Sequence, residues 1–110
     1  MGLYRAFVQP APTPVPLPNG GQVTNIPLST TTPAAIIMAR SDGRRRGFFI
    51  ENGNVPMVFA LGATVSVGAR TARLEPGDVY EDTNNWQGAV HSLSIGSAGN
   101  VNVTELLIPA

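Results

Sequence analysis

The sequence predicts an all-β protein, an antiparallel β-sandwich or barrel-like domain of about seven short strands behind an extended, proline-rich N-terminal arm. Three observations predict it. From Ala34 onward, short apolar runs recur between turn signals, the spacing of a sandwich or barrel. Several runs alternate with period two, and none sustains a helical period. Ahead of them a proline stands at every second position, at Pro10, Pro12, Pro14, Pro16 and Pro18. Each fixes its own φ and holds its predecessor extended, which excludes helix.

The arm is assigned to residues 1–33. Its proline tract should adopt polyproline II geometry, about 3.1 Å per residue and without internal hydrogen bonds. It cannot stand inside a sheet, because a proline has no donor for the ladder. Asn19-Gly20-Gly21 reads as a flexible break, and residues 22–32 as a polar, Thr-rich stretch kept extended by Pro27 and Pro33. Between Met1 and Ala39 the only charged side chain is Arg5, unlike the high charge of ordinary disordered tails. About thirty extended residues reach on the order of 100 Å, a length suited to a neighbouring subunit. The arm is therefore expected to become ordered by gripping another molecule, with Val8, Val15, Leu17, Val23, Ile26 and Leu28 as its anchors.

The domain is assigned to residues 34–110, with strands expected over 34–39, 47–52, 57–61, 69–74, 78–81, 89–95 and 101–107. Asp42-Gly43, Asn52-Gly53-Asn54 and Ala98-Gly99-Asn100 supply turn residues tolerant of positive φ, and Pro76-Gly77 fits the centre of a type II turn. Met57, Phe59 and Leu61 share one face of their strand, as do Leu93 and Ile95, and Val101 and Val103. Phe48-Phe49-Ile50 is apolar without alternation, which places both faces of that strand under cover and the core around it.

Size and composition exclude several functions. A chain of 110 residues and 11.5 kDa makes at most one domain, which on compact folding buries roughly 65% of its unfolded surface. Hydrophobic residues make up 43%, enough for a core, and charged residues only 13%. The formal net charge is zero, so nothing draws the chain to nucleic acid or to an anionic membrane. Near-neutrality also removes the self-repulsion that keeps monomers apart, as befits life inside an assembly. Without cysteine there is no disulfide framework and no thiolate metal site. No run approaches a membrane span, and Met1-Gly2-Leu3-Tyr4-Arg5 lacks the basic start and apolar core of a signal peptide. A soluble product made in the cytosol is expected.

Reactive side chains are sparse: one histidine, no cysteine and no lysine. His91 in Ala89-Val90-His91-Ser92-Leu93 reads as a half-buried strand residue, and no glycine-flanked nucleophile turn supports a triad of Ser92 or Ser94 with His91 and Asp82. Glu75, Asp78, Glu81 and Asp82 lack the alternating ligand loop of a calcium motif, and Gly62 and Gly68 lack the lysine and helix of a phosphate loop. No catalytic, cofactor-binding or metal-binding residue is expected, and no small-molecule substrate. Arg44-Arg45-Arg46, in a predicted turn, suits ion pairs with a partner surface. Trp86 is read as an interface anchor or as a lid over one end of the sandwich.

The segments Arg45-Arg46-Gly47-Phe48-Phe49-Ile50-Glu51-Asn52, residues 57–62, Leu74-Glu75-Pro76-Gly77-Asp78, and Trp86-Gln87-Gly88-Ala89-Val90 leading to Asn100-Val101-Asn102-Val103-Thr104-Glu105 follow in an informative order. The chain resembles, over residues 40–107, the small β-sandwich structural proteins of tailed bacteriophages. The resemblance implies a virion structural protein without catalytic residues. The arm points within that group to capsid cement (head decoration) proteins, which clamp adjacent major capsid subunits from the outer capsid surface. The implied partners are the major capsid protein and neighbouring copies of the chain, as a homo-oligomer or bound to the lattice. A phage tail, neck or fibre component is the alternative. From other classes come a proline-motif ligand and a carbohydrate-binding β-sandwich using Trp86, Tyr80 and nearby acids.

Overall fold

Turn chemistry sets where this chain reverses. Pro76-Gly77 closes as predicted: Gly77 has φ +87°, and the Asp78 amide donates to the Glu75 carbonyl at 2.9 Å. Gly43 also takes positive φ, at 69°. Gly53 serves a different need, since a Cβ there would meet the Asn100 carbonyl oxygen at 2.8 Å. The chain at that point is required to pass close, not to turn left-handed.

A computed structural model describes residues 20–62 and 64–109. They form β1 (Gly20–Leu28), β2 (Ala34–Ile37), β3 (Arg45–Asn52), β4 (Met57–Leu61), β5 (Ala72–Leu74), β6 (Val79–Asp82), β7 (Val90–Ser94) and β8 (Gly99–Leu107). Two antiparallel four-stranded sheets result, sheet A in the order β1-β8-β3-β6 and sheet B in the order β2-β7-β4-β5. The protein is a β-sandwich, with a strand near each of the seven expected positions and one more, β1.

That additional strand corrects the reading of the arm. Residues 20–28 were expected to wait for an outside partner, yet every residue from Gly20 to Leu28 is paired with β8. Gly20 and Gly21 lie opposite Leu107 and Leu106, so the expected flexible break is the first step of a ladder. Pro27 is tolerated because β1 is an edge strand. Leu28 is 3% exposed within the core and Ile26 packs against it, so Leu28 is no partner anchor; burying it stabilises the sandwich by about 1.5–3 kcal/mol. Val8, Val15 and Leu17, and the proline tract itself, lie outside the described residues.

The core joins the facing sheets through Phe48, Ile50, Val101 and Val103 of sheet A and Ile37, Met57, Phe59, Leu74 and Val90 of sheet B. Tyr80 crosses the layers, its ring 4.7 Å from Phe59 and 6.0 Å from Phe48. The strand covered on both faces is β4, not β3. Met57 and Phe59 face the core, while Val58 and Ala60 are buried with Leu93 under Val65 of the β4–β5 connection. On β3, Phe48 and Ile50 are fully buried and Phe49 is only half-buried. Among the described residues, nothing covers Phe49 completely.

A register shift between Arg45 and Gly47 corrects the reading of the arginine run. Strict alternation from Phe48 would turn Arg46 inward and Arg45 outward. The bulge inserts Arg46 as the additional residue and turns Arg45 into the sandwich, where it is 0% exposed. Its guanidinium donates to Glu105 Oε2 at 2.9 Å and to the carbonyls of Met38, Trp86 and Gly88 at 3.0, 2.9 and 2.7 Å. Arg40 Nε adds a bond of 3.2 Å to the same carboxylate oxygen. Arg45 is thus a strut between sheet A and the far end of sheet B, and it is not available to a partner.

Candidate functional site

Side chains on the outer face of sheet A line up in cross-strand rows. Val23, Thr104, Phe49 and Glu81 lie opposite one another across β1, β8, β3 and β6, and the neighbouring row is Asn25, Asn102, Glu51 and Val79. Val23, Phe49, Glu51, Val79, Asn102 and Thr104 surround an open depression of about 350 Å³. Val23 and Val79 are 70% and 57% exposed. The polar members are tied to each other: Asn25 Nδ2 donates to Asn102 Oδ1 at 2.8 Å, and Asn102 Nδ2 to Glu51 Oε1 at 3.4 Å. Amides engaged in this way hold the floor level, while the valines and Phe49 provide apolar contact area. Among the residues around the depression there is a single carboxylate, Glu51.

The same sheet ends in an unusual edge. β1 runs nine residues without an ionisable side chain. The opposite edge, β6, has four residues including Glu81 and Asp82, and the edges of sheet B are β2, with four residues, and β5, with three including Arg73. Short length, charge and proline are among the usual protections of an edge. Of these four edges, β1 alone is neither short nor charged, and its one proline, Pro27, stands next to its C-terminal residue.

The remaining candidate residues are placed as follows. Arg44 is partly buried and its Nε donates to the Ile108 carbonyl at 3.1 Å; Arg46 is half-buried at the bulge. Trp86 packs against the core, with Nε1 donating to the Ala89 carbonyl at 3.1 Å, which is the lid arrangement. Since Tyr80 also packs on the core, the two rings form no open sugar platform. Burial, and secondarily the Asp82 carboxylate, push the Tyr80 phenol above its ordinary pKa of 10.0.

The residues of the paper triad do not meet as one. His91 Nδ1 lies 2.7 Å from the Gly62 carbonyl oxygen, and since a carbonyl only accepts, Nδ1 carries the proton. Ser92 Oγ donates to the Val58 carbonyl at 2.8 Å, and Asp82 Oδ2 accepts from the Trp86 amide at 3.1 Å. The acidic cluster is dispersed in the same manner. Glu75 pairs with Arg73 at 2.7 Å, and Asp78 accepts from the Glu75 amide at 2.9 Å. Among the described residues, no group of three or more histidines and carboxylates is placed to hold a metal ion, and no helix is long and apolar enough to cross a membrane.

The sequence reading missed the open face because its members come from four strands far apart in the chain. Phe49 was the available signal, an aromatic residue at the outward position between two inward ones. No family model matches the chain, and no curated protein matches it in sequence. A solved structure from work describing Bacillus endospore appendages as a novel family of disulfide-linked pili is similar in fold, with a TM-score of 0.52 at 12% identity over 83% of this chain and 87% of that one. What the two proteins are shown to share is the β-rich architecture.

Proposed function

We propose that the chain is a structural subunit whose work is to hold other subunits, in its most specific form a capsid cement protein on the outer surface of a tailed-phage head. The observation that carries this reading is the outer face of sheet A with its edge: apolar at Val23, Phe49 and Val79, bearing the two carboxylates Glu51 and Glu81, and left open by the described residues. A long uncharged edge and an exposed apolar face favour association. Along the uncharged β1, contact strips water from no ionised side chain of that strand and so loses little of the gained burial. The major capsid protein and neighbouring copies are the partners this reading assigns, with Val23 the surviving anchor among the described residues.

The fold it shares with a pilus protein supports self-assembly as the broader class. A chain without cysteine must achieve it by burial and hydrogen bonding alone. That likeness also favours a tail, neck or fibre component as the second reading. A carbohydrate-binding module loses support because Trp86 and Tyr80 are engaged in the core.

Density-gradient fractionation of lysates from producing cells, followed by electron microscopy of the particle fraction, tests the proposal. Co-migration with capsids and added density on the shell lattice are expected. Density on a tail or filament would select the second reading, and a chain found only among small soluble species would overturn both.

A further inference from the structure

We propose that residues 10–18 of one copy add as a strand to the open edge of β1 in a second copy, and that the alternating prolines close the new edge behind it. In an extended chain the N–H and C=O of one residue point to one side and those of the next residue to the other. Prolines at 10, 12, 14, 16 and 18 therefore place every missing donor on the same side. Ala11, Thr13, Val15 and Leu17 keep donor and acceptor together on the opposite side. The period is two, that of a strand, whereas polyproline II repeats every three residues. A segment of this kind has one edge able to join a ladder and one that ends it, and proline is accepted at a sheet edge.

β1 fits as the receiving edge. Among the described residues it is the longest edge strand, carries no charge along Gly20–Leu28, and bears the 70% exposed Val23. A strand laid beside it brings Val15 or Leu17 within reach of that valine. The proposal commits to a second copy, because turn chemistry disfavours the shortest returns onto the chain's own β1. Gly20 is already paired with Leu107, so a two-residue reversal would centre on Pro18-Asn19. The turns of such hairpins need positive φ at the first centre, which proline's ring forbids. A three-residue reversal would need a left-handed Gly20, but Gly20 is engaged in the ladder. Each copy then donates one arm and accepts another, a head-to-tail arrangement that closes a ring or extends a row.

The inference rests on the structural-subunit reading only in expecting association. The test uses the full chain in sedimentation velocity over a concentration series. Thr13→Pro removes a donor from the pairing side and should weaken association about tenfold or more, although it makes the arm more proline-rich. Pro14→Ala, on the other side, should retain it. Val23→Lys puts a charge on the receiving edge and should likewise weaken association while leaving the thermal melt unchanged. An equimolar mixture of the Thr13→Pro and Val23→Lys chains should yield a two-chain complex, because the intact arm of one meets the intact edge of the other. A monomeric wild type, a Thr13→Pro chain that associates like wild type, or a mixture that stays monomeric would each overturn strand addition. Association without attachment to particles would remove only the capsid assignment, and attachment without these effects only the present inference.

Discussion

The two sheets treat their outer faces differently. In sheet B the β4–β5 connection folds back, so that Val65 covers Val58, Ala60 and Leu93, and the connection is closed by paired hydrogen bonds between Ser66 and Ala69 at 2.9 and 3.2 Å. In sheet A no segment among the described residues plays that part, and Val23, Phe49 and Val79 border an open depression. Both faces carry apolar side chains. On one the described residues supply the cover, and on the other they do not. Function is therefore sought on sheet A, while the outer face of sheet B belongs to stability.

The largest expected effect breaks the strut that joins the sheets. Arg45→Met leaves Glu105 and three carbonyls short of a donor, and urea denaturation should show a loss of about 3–5 kcal/mol. A loss below about 1 kcal/mol would mean that these acceptors find other partners. Next comes the cover of sheet B: Val65→Ala should cost about 1–2 kcal/mol in the same assay, and an unchanged midpoint would make the contrast between the outer faces superficial.

Tyr80 and Val79 sharpen the contrast within a single strand. The unfolded chain gives up the phenolic proton before the folded one, because the folded value lies above 10.0. The contribution is therefore whole below pH 10 and is lost as pH rises from there through the folded value. Tyr80→Phe should flatten this part of the alkaline decline, and identical pH profiles for the two chains would count against the burial described. The smallest effect belongs to the open face. Val79→Thr and Val23→Thr should stay within about 0.5 kcal/mol of the parent in thermal melts, yet both should weaken association in sedimentation velocity. A marked loss of stability would mean that the face is already covered within its own molecule.

A truncation separating arm from domain has to end before Gly20. Removing residues 1–32 would also remove β1 and bare the β8 ladder along its length.

Much of the fold was legible in the sequence because strands and turns are local events. Residues 57–61 show alternation between turn signals, and Pro76-Gly77 has few conformations open to it. β1 was not legible, because its Gly, Asn and Pro residues are weak strand formers and it forms only through pairing with β8, some eighty residues away. Arg45 was misplaced for a related reason. A bulge shifts every side chain before it to the opposite face, and a run of arginines contains nothing that says where the extra residue falls.

By itself the sequence determined the all-β class, the places where the chain turns, the neutral surface charge and the alternation of donors along the arm, since each follows from residue type and spacing. Tertiary structure alone decided which strand occupies an edge, which of three arginines enters the core and which apolar face is left without cover. These depend on partners distant in the chain, and a side chain's burial is set by what packs upon it, not by its own chemistry.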